Sequence, residues 1–492
     1  MAIGNESTHY PVIDTRSGRF RRAVTAASVL MGFLVLPMLM SGITVALPRI
    51  GTDLGASGGA LQWVVVGYFL AASTSMLTAG SLSDQLGRRR MFRLGASTFF
   101  LGALISALAQ NIWVLNAARV LSGFGAAAVM AAGSAIMAVT FTGAARTRAY
   151  SAVGTTAGMG LALGPSLAGG LVDSVGWRAM FLAFAAAGIL ILLGTVFIAE
   201  SSAEGSSPID WPGATTFMLG LGAVMIAVTQ GSQSGWSSPR IVGLFAVGGG
   251  LLAGFRVLQR RSEHPLLDLK LLGNQYFSGW CLASVTVAVG STGILVSLPT
   301  YLQGANGSSA GEAGALMLMF TVPILLVSPI AGRLVNVGVS PRFLIVIALL
   351  AIAAGNAALT VLHPGISAFM LAGPLVTVGA GNGLAIGIID AQAMNLVEPS
   401  RIGMASGLLN TVRGGSNAVV IAVFGTALFT LLQRDIGEDA AEYVTAGISL
   451  GEDHLLWATH FTDAWHILLW SVAGFCVVAA LTVRLLLRTS TK

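Results

Sequence analysis

Fourteen long apolar runs, parted by short polar breaks, leave this chain one solvent that suits it. The runs lie at roughly Val24–Leu47, Leu61–Ala79, Leu94–Ala109, Trp113–Val139, Tyr150–Val172, Ala179–Ala199 and Trp211–Thr229. They continue at roughly Ile241–Leu258, Phe277–Thr300, Ala313–Ala331, Phe343–Leu362, Ser367–Ile389, Met404–Leu432 and Ala464–Leu487. Each is close to the roughly 20 residues that a helix needs to cross hydrocarbon. Lipid offers backbone amides no partner, so segments of this kind must be helical. Only 9% of the 492 residues are charged, where a soluble domain carries about 25%. The expectation is an all-α integral membrane protein with 14 transmembrane helices.

The breaks divide the chain. A polar tail is expected over 1–23, a six-helix bundle over 24–200, and a linker with two inserted helices over 201–262. A second six-helix bundle follows over 263–487 and a short tail over 488–492. The stretch 433–462 reads as a loop with six acids against one arginine. The chain also echoes itself. Ala79-Gly80-Ser81-Leu82 returns as Ala331-Gly332-Arg333-Leu334, and Val45-Ala46-Leu47-Pro48 as Val296-Ser297-Leu298-Pro299. The offset of about 252 residues implies two parallel six-helix repeats, related by an axis along the membrane normal, in a 6+2+6 arrangement.

Basic residues set the orientation. About 20 of the 26 fall in the tails and in the breaks that share their side, which predicts cytoplasmic termini in a multi-pass protein of the cell membrane. The first run follows Arg16, Arg19, Arg21 and Arg22 and is long for a signal core, so it reads as a retained helix. The dispersed bases give no nucleic-acid surface. Cys281 and Cys476 both lie in apolar runs and read as small buried hydrophobes. No metal-ligand spacing appears, and no phosphate-binding loop for ATP.

The densest charge in the chain is Gly80–Arg90, GSLSDQLGRRR, between the second and third runs. Gly80, Leu82, Ser83, Asp84, Gly87, Arg88 and Arg89 resemble the loop between the second and third helices of the major facilitator superfamily of transporters. In the fourth run, Arg119, Gly123 and Gly125 resemble that family's motif whose arginine is tied to proton transfer; Ser122 replaces its usual glutamine. An arginine inside a span is costly and should meet a wet cavity or a partner, unless it snorkels to the headgroups. In the fifth run, Gly160, Gly164, Pro165 and Gly169 resemble the antiporter-type motif of the family's exporters. Small residues at this spacing also serve close helix packing. Leu61-Gln62-Trp63, Asp210-Trp211-Pro212-Gly213 and Gly403-Met404-Ala405-Ser406-Gly407 extend the resemblance to the fourteen-helix drug:proton antiporters.

This resemblance implies a facilitator fold that works by alternating access. It implies export of an antibiotic or other lipophilic small molecule, driven by a proton gradient with no cofactor and no enzymatic step. It also implies that membrane lipid and cargo are the partners of a working monomer. One position departs: Leu39 stands where the subfamily places an acid in the first helix. Without that acid, and with Arg119 and Arg413 in the spans, neutral or anionic cargo is expected. Asp84 and Asp390 become the candidate proton carriers, although each also suits a charged helix end. Arg413 either faces the cavity or pairs with a neighbouring helix. Trp63, Tyr68, Met317 and Phe320 are candidate cavity lining, or plain packing. An uncoupled facilitator or importer of a native metabolite, and a non-transporting membrane sensor, stay open.

Overall fold

The computed structural model describes residues 15–141, 143–201, 210–262, 271, 273–397, 402–447 and 454–488. Among these residues the secondary structure is helical, with no strand. The first half contains α1 (Thr15–Leu54), α2 (Gly58–Leu86), α3 (Arg88–Leu108), α4 (Ile112–Thr140) and α5 (Gly143–Gly194). Two inserted helices follow, α6 (Trp211–Ser234) and α7 (Pro239–Arg261). The second half contains α8 (Gln275–Asn306), α9 (Ala310–Leu316), α10 (Leu318–Asn336), α11 (Pro341–Ala358) and α12 (Ala368–Asn395). It ends with α13 (Ile402–Ile436), α14 (Glu438–Thr445) and α15 (His454–Leu486).

Thirteen described helical stretches are long and apolar enough to cross a membrane. One of them, Ala152–Phe197, has 46 residues. At about 1.5 Å per residue it is more than twice as long as the hydrocarbon is thick. Gly176 breaks it with φ 86° and ψ 165°, a conformation closed to most side chains. Its two arms are the fifth and sixth spans, which makes fourteen. Each half has its own core. Phe92, Phe99 and Phe181 are buried in the first; Tyr301, Phe461 and Trp465 pack ring against ring in the second.

Several boundaries differ from the sequence reading. α1 starts at Thr15, inside the expected tail, and runs past Pro37 and Pro48 to Leu54. A proline removes one backbone bond, but in lipid the remaining bonds have no substitute, so the helix persists. The loop at Gly80–Arg90 shrinks to the single residue Gly87, because α2 runs to Leu86 and α3 begins at Arg88. The tenth span is two helices, α9 and α10, that meet at Met317.

The acidic stretch is largely helical rather than a loop. It holds the end of α13, then α14, and α15 begins at His454, ten residues before the expected Ala464. Gly437 and Gly447, both at positive φ, bound α14. Glu438 and Asp439 in its first turn suit the helix dipole, and Ala441 and Val444 are buried. Asp463 and His466 therefore lie within α15, and His466 Nε2 is 2.9 Å from the Leu362 carbonyl. The expected linker at 202–209 and the charged stretch at 263–270 lie outside the described residues.

The inserted pair is held by its own motif. Asp210 accepts from the Gly213 amide at 2.8 Å, capping α6, and from Gln259 Nε2 near the end of α7. α6 then packs on α2 and α13, one helix from each half.

The first half depends on a close approach of α1 and α5. A Cβ on Gly160 would strike the Leu34 carbonyl, and one on Gly164 would strike Ser41 Oγ and the Met38 carbonyl. Ser41 Oγ donates to the Leu161 carbonyl at 3.0 Å across the same contact. Gly164→Val should therefore lower stability by about 1–3 kcal/mol, the usual cost of overpacking. Gly222→Ala, on α6 where a Cβ meets open space, should leave stability unchanged or slightly higher. Thermal unfolding of the detergent-purified variants checks both.

Candidate functional site

The halves meet at one end of the bundle. Gly80–Arg90 marks one end of the bundle, the motif end; the ends of α1 and α8 mark the far end. At the far end Gln303 Nε2 donates to the Val45 carbonyl at 3.2 Å. Ser166 Oγ donates to the Gly314 carbonyl at 2.7 Å. Cβ atoms on Gly169 and Gly314 would strike the carbonyls of Ala310 and Pro165. The α5 motif thus serves two surfaces: Gly160 and Gly164 face α1, while Pro165 and Gly169 face α9 of the other half. α2 and α13 stay in contact from Gln62 against Gly425 to Ser73 against Gly414. A Cβ on Gly158 of α5 would meet Leu325 of α10 at 3.4 Å, whereas Gly154 and Gly332, nearer the motif end, face open space.

The motif itself is tied down by an acid. Gly87 has φ 102°, and a Cβ there would strike Glu200 Oε1. That carboxylate accepts from the Arg89 amide at 3.1 Å, and its Oε2 lies 3.6 Å from Arg90 Nε. The Arg88 amide donates to the Ser201 carbonyl at 2.9 Å. The end of the sixth span therefore caps the start of α3, where an anion is favoured. Gly80 lies in the last turns of α2. The Asp84 side chain lies outside the described residues.

Arg119 is 0% exposed. It is therefore shielded from acyl chains. Its Nε donates to the Val64 carbonyl at 3.0 Å, and its Cζ lies 4.5 Å from the Tyr68 ring centroid and 5.9 Å from that of Phe181. Both terminal nitrogens have no hydrogen-bond partner in the protein. The aromatic faces offset part of that cost. Ser122, in the place of the motif's glutamine, donates back to the Ala118 carbonyl at 2.9 Å.

Asp390 and Arg413 come together, joining α12 to α13. Arg413 Nη2 donates to Asp390 Oδ1 at 2.5 Å, and Nη1 donates to Asn410 Oδ1 at 3.3 Å. Their side chains are 30% and 47% exposed, Arg413 and Asp390 respectively. The adjacent Gly414 abuts Ser73 of the first half. The pair thus sits beside the α2–α13 contact. One turn on, Asn417 Oδ1 accepts from Thr292 Oγ1 of α8 at 3.0 Å. Of the candidate lining residues, Trp63 is half-buried on α2. Tyr68, Met317 and Phe320 are buried: Tyr68 lies under Arg119, and the other two lie in the core of the second half. Leu39 is also fully buried.

The family model for the Major Facilitator Superfamily matches residues 29–422. The chain belongs to the major facilitator superfamily. It is 33% identical over 396 residues to the multidrug resistance protein Stp of Mycobacterium tuberculosis, covering 80% of this chain and 73% of that one. It is 32% identical to the puromycin resistance protein pur8 of Streptomyces alboniger (78% and 77% covered). It is 28% identical to the probable actinorhodin transporter of Streptomyces coelicolor (89% and 77%). Among solved structures it superposes on a bacterial homologue of the lysosomal transporter Spinster, inward-facing and unoccupied, with a TM-score of 0.66 at 17% identity. That match covers 95% of this chain and 97% of that one. This facilitator is therefore a transporter and not an enzyme.

Sequence reasoning missed Glu200, Ser166, Asp173 and Glu442. Each acts through a helix end or a helix contact distant in sequence, and no local pattern marks it. Glu200→Ala should uncap α3 of the facilitator. Amide exchange over residues 87–93 should then rise about tenfold, as expected for losing a hydrogen bond to a charged group. Hydrogen-exchange mass spectrometry reads this without any substrate.

Proposed function

We propose that this facilitator exports an antibiotic or other lipophilic small molecule, neutral or anionic, by proton antiport through alternating access. The motif end and both termini would face the cytoplasm, as the basic residues favour. The far-end contacts between the halves would then shut the outer side, as the cargo-loading state of an exporter requires. Relatives named for multidrug and puromycin resistance support the cargo class.

The observation that carries the coupling is the Asp390–Arg413 pair beside the α2–α13 contact. Protonating Asp390 would remove its charge and free the Arg413 guanidinium beside a surface of the other half. That changes the balance between two arrangements of the halves, which is what a coupling ion must do. With Asp390 held by Arg413 and Leu39 standing at the subfamily's acid position in the first helix, a cationic drug would lack that counter-charge. Asp84 remains the second candidate carrier. The proton gradient would be the energy source, without a cofactor, and the monomer the working unit.

A second reading has one observation in its favour. Buried Leu39 leaves the first helix without the subfamily's acid, which suits an uncoupled facilitator of a native metabolite. Export measured in cells with and without the chain, across a panel of uncharged, anionic and cationic antibiotics, separates the two readings. The proposal expects uncoupler-sensitive export of uncharged or anionic compounds. Asp390→Asn should lower it by tenfold or more, on the order of one lost charge-assisted contact, at unchanged membrane abundance. Uncoupler-insensitive movement, or full coupled export by both Asp390→Asn and Asp84→Asn, would overturn the antiport assignment.

A further inference from the structure

Two carboxylates at the far end reach across the seam, each to the start of a helix in the other half. Glu442, on α14 of the second half, accepts from Ser57 Oγ at 2.7 Å. Ser57 is the residue before α2 and makes no side-chain bond to its own helix. A Cβ on Gly58, the first residue of α2, would lie 3.0 Å from Glu442 Oε1. In the reverse direction Asp173, on α5 of the first half, accepts from the Gly311 amide at 2.6 Å. Gly311 lies in the first turn of the span Ala310–Asn336, whose preceding residue Ser309 caps it in a reciprocal bond with Glu312.

Ser57 and Ser309 are 252 residues apart, the offset of the internal repeat. The two contacts therefore join equivalent helix starts, each to an acid from the opposite half. An acid within one half could cap its own helix whatever the halves did. Asp53, also at the far end, does the opposite: it holds Arg178 and Trp177 of its own half.

We propose that Asp173 and Glu442 are paired latches that hold the far-end gate of this transporter shut. Both contacts must break when the halves part at this end. A carboxylate leaving a helix start loses the favourable dipole and its hydrogen bond together. While latched, the carboxylates add to the contacts of Ser166, Gln303 and Gly447, where Gly447 seats against Thr300 and Pro48. Neutralising the acids leaves those other contacts in place and shifts the population toward a far-end-open state. The latches order the conformations and touch no cargo. Their role rests on the alternating-access reading above, but the gate can be read without any transported compound.

Thr300→Cys gives the reporter. Thr300 is buried in the closed seam, and its hydroxyl bonds only within its own helix, to the Ser297 carbonyl. The native Cys281 and Cys476 are replaced by alanine, and intact cells receive a membrane-impermeant maleimide. Asp173→Asn/Glu442→Gln should raise the labelling rate of Cys at 300 by about tenfold, with each single change intermediate, since each amide keeps an acceptor oxygen and loses only the charge facing a helix start. Ser57→Ala, which removes the donor on the opposite half, should act like Glu442→Gln. Asp53→Asn should change nothing. Unchanged labelling in the double variant, or an equal rise with Asp53→Asn, overturns the proposal. Ser237→Cys, exposed in the turn between α6 and α7, reports which side the far end faces. If it fails to label in cells, the orientation is wrong, and the same comparison in everted vesicles decides the latch.

Discussion

Hydrocarbon supplies no hydrogen-bond partner, and most of this structure follows from that single deficit. Backbone amides inside the membrane must pair within their own helix, so α1 runs through two prolines instead of stopping at either. Helices gain little by burying apolar surface against one another in lipid, so they associate through close contact. That places the small residues of α5 against carbonyls of α1 on one side and of α9 on the other. A single helix therefore belongs both to the interior of one half and to the joint between the halves.

The same deficit governs the charges. Helix starts carry unpaired amides and a positive dipole, and three of them have an acid from elsewhere in the fold: Glu200 at α3, Asp173 at α9 and Glu442 at α2. The first lies within one half and shapes the motif end. The other two cross the seam and belong to the closed gate. Arg413 and Asp390 neutralise one another beside the α2–α13 contact. Arg119 is the exception, a buried cation supported by one carbonyl and two aromatic faces, with its terminal nitrogens unpaired.

Legibility followed locality. Span number and the two-half architecture were readable because each depends on consecutive residues or on a repeat offset. Arg119, Asp390 and Arg413 were readable as anomalies, since an ionisable residue among apolar ones stands out. Their partners were not, because Asp390 and Arg413 are 23 residues apart on different helices. Met317 and Phe320 were candidates for a cavity wall by residue type alone; which face of a span turns inward depends on its neighbours. The helical character of the acidic stretch was hidden because α14 has only a short apolar face, Ala441 and Val444, and takes its support from what lies beneath.

By itself the chain of residues determined the solvent, the number of crossings, the internal repeat and the places where charge enters the membrane. These are properties of windows about twenty residues long, and hydrophobicity decides them before any two helices meet. Tertiary structure alone decided which acid answers which helix start, that Arg119 is buried among rings, and that the halves touch at the far end. Those outcomes depend on the relative placement of rigid helices, in which contacts between distant residues compete on nearly equal terms.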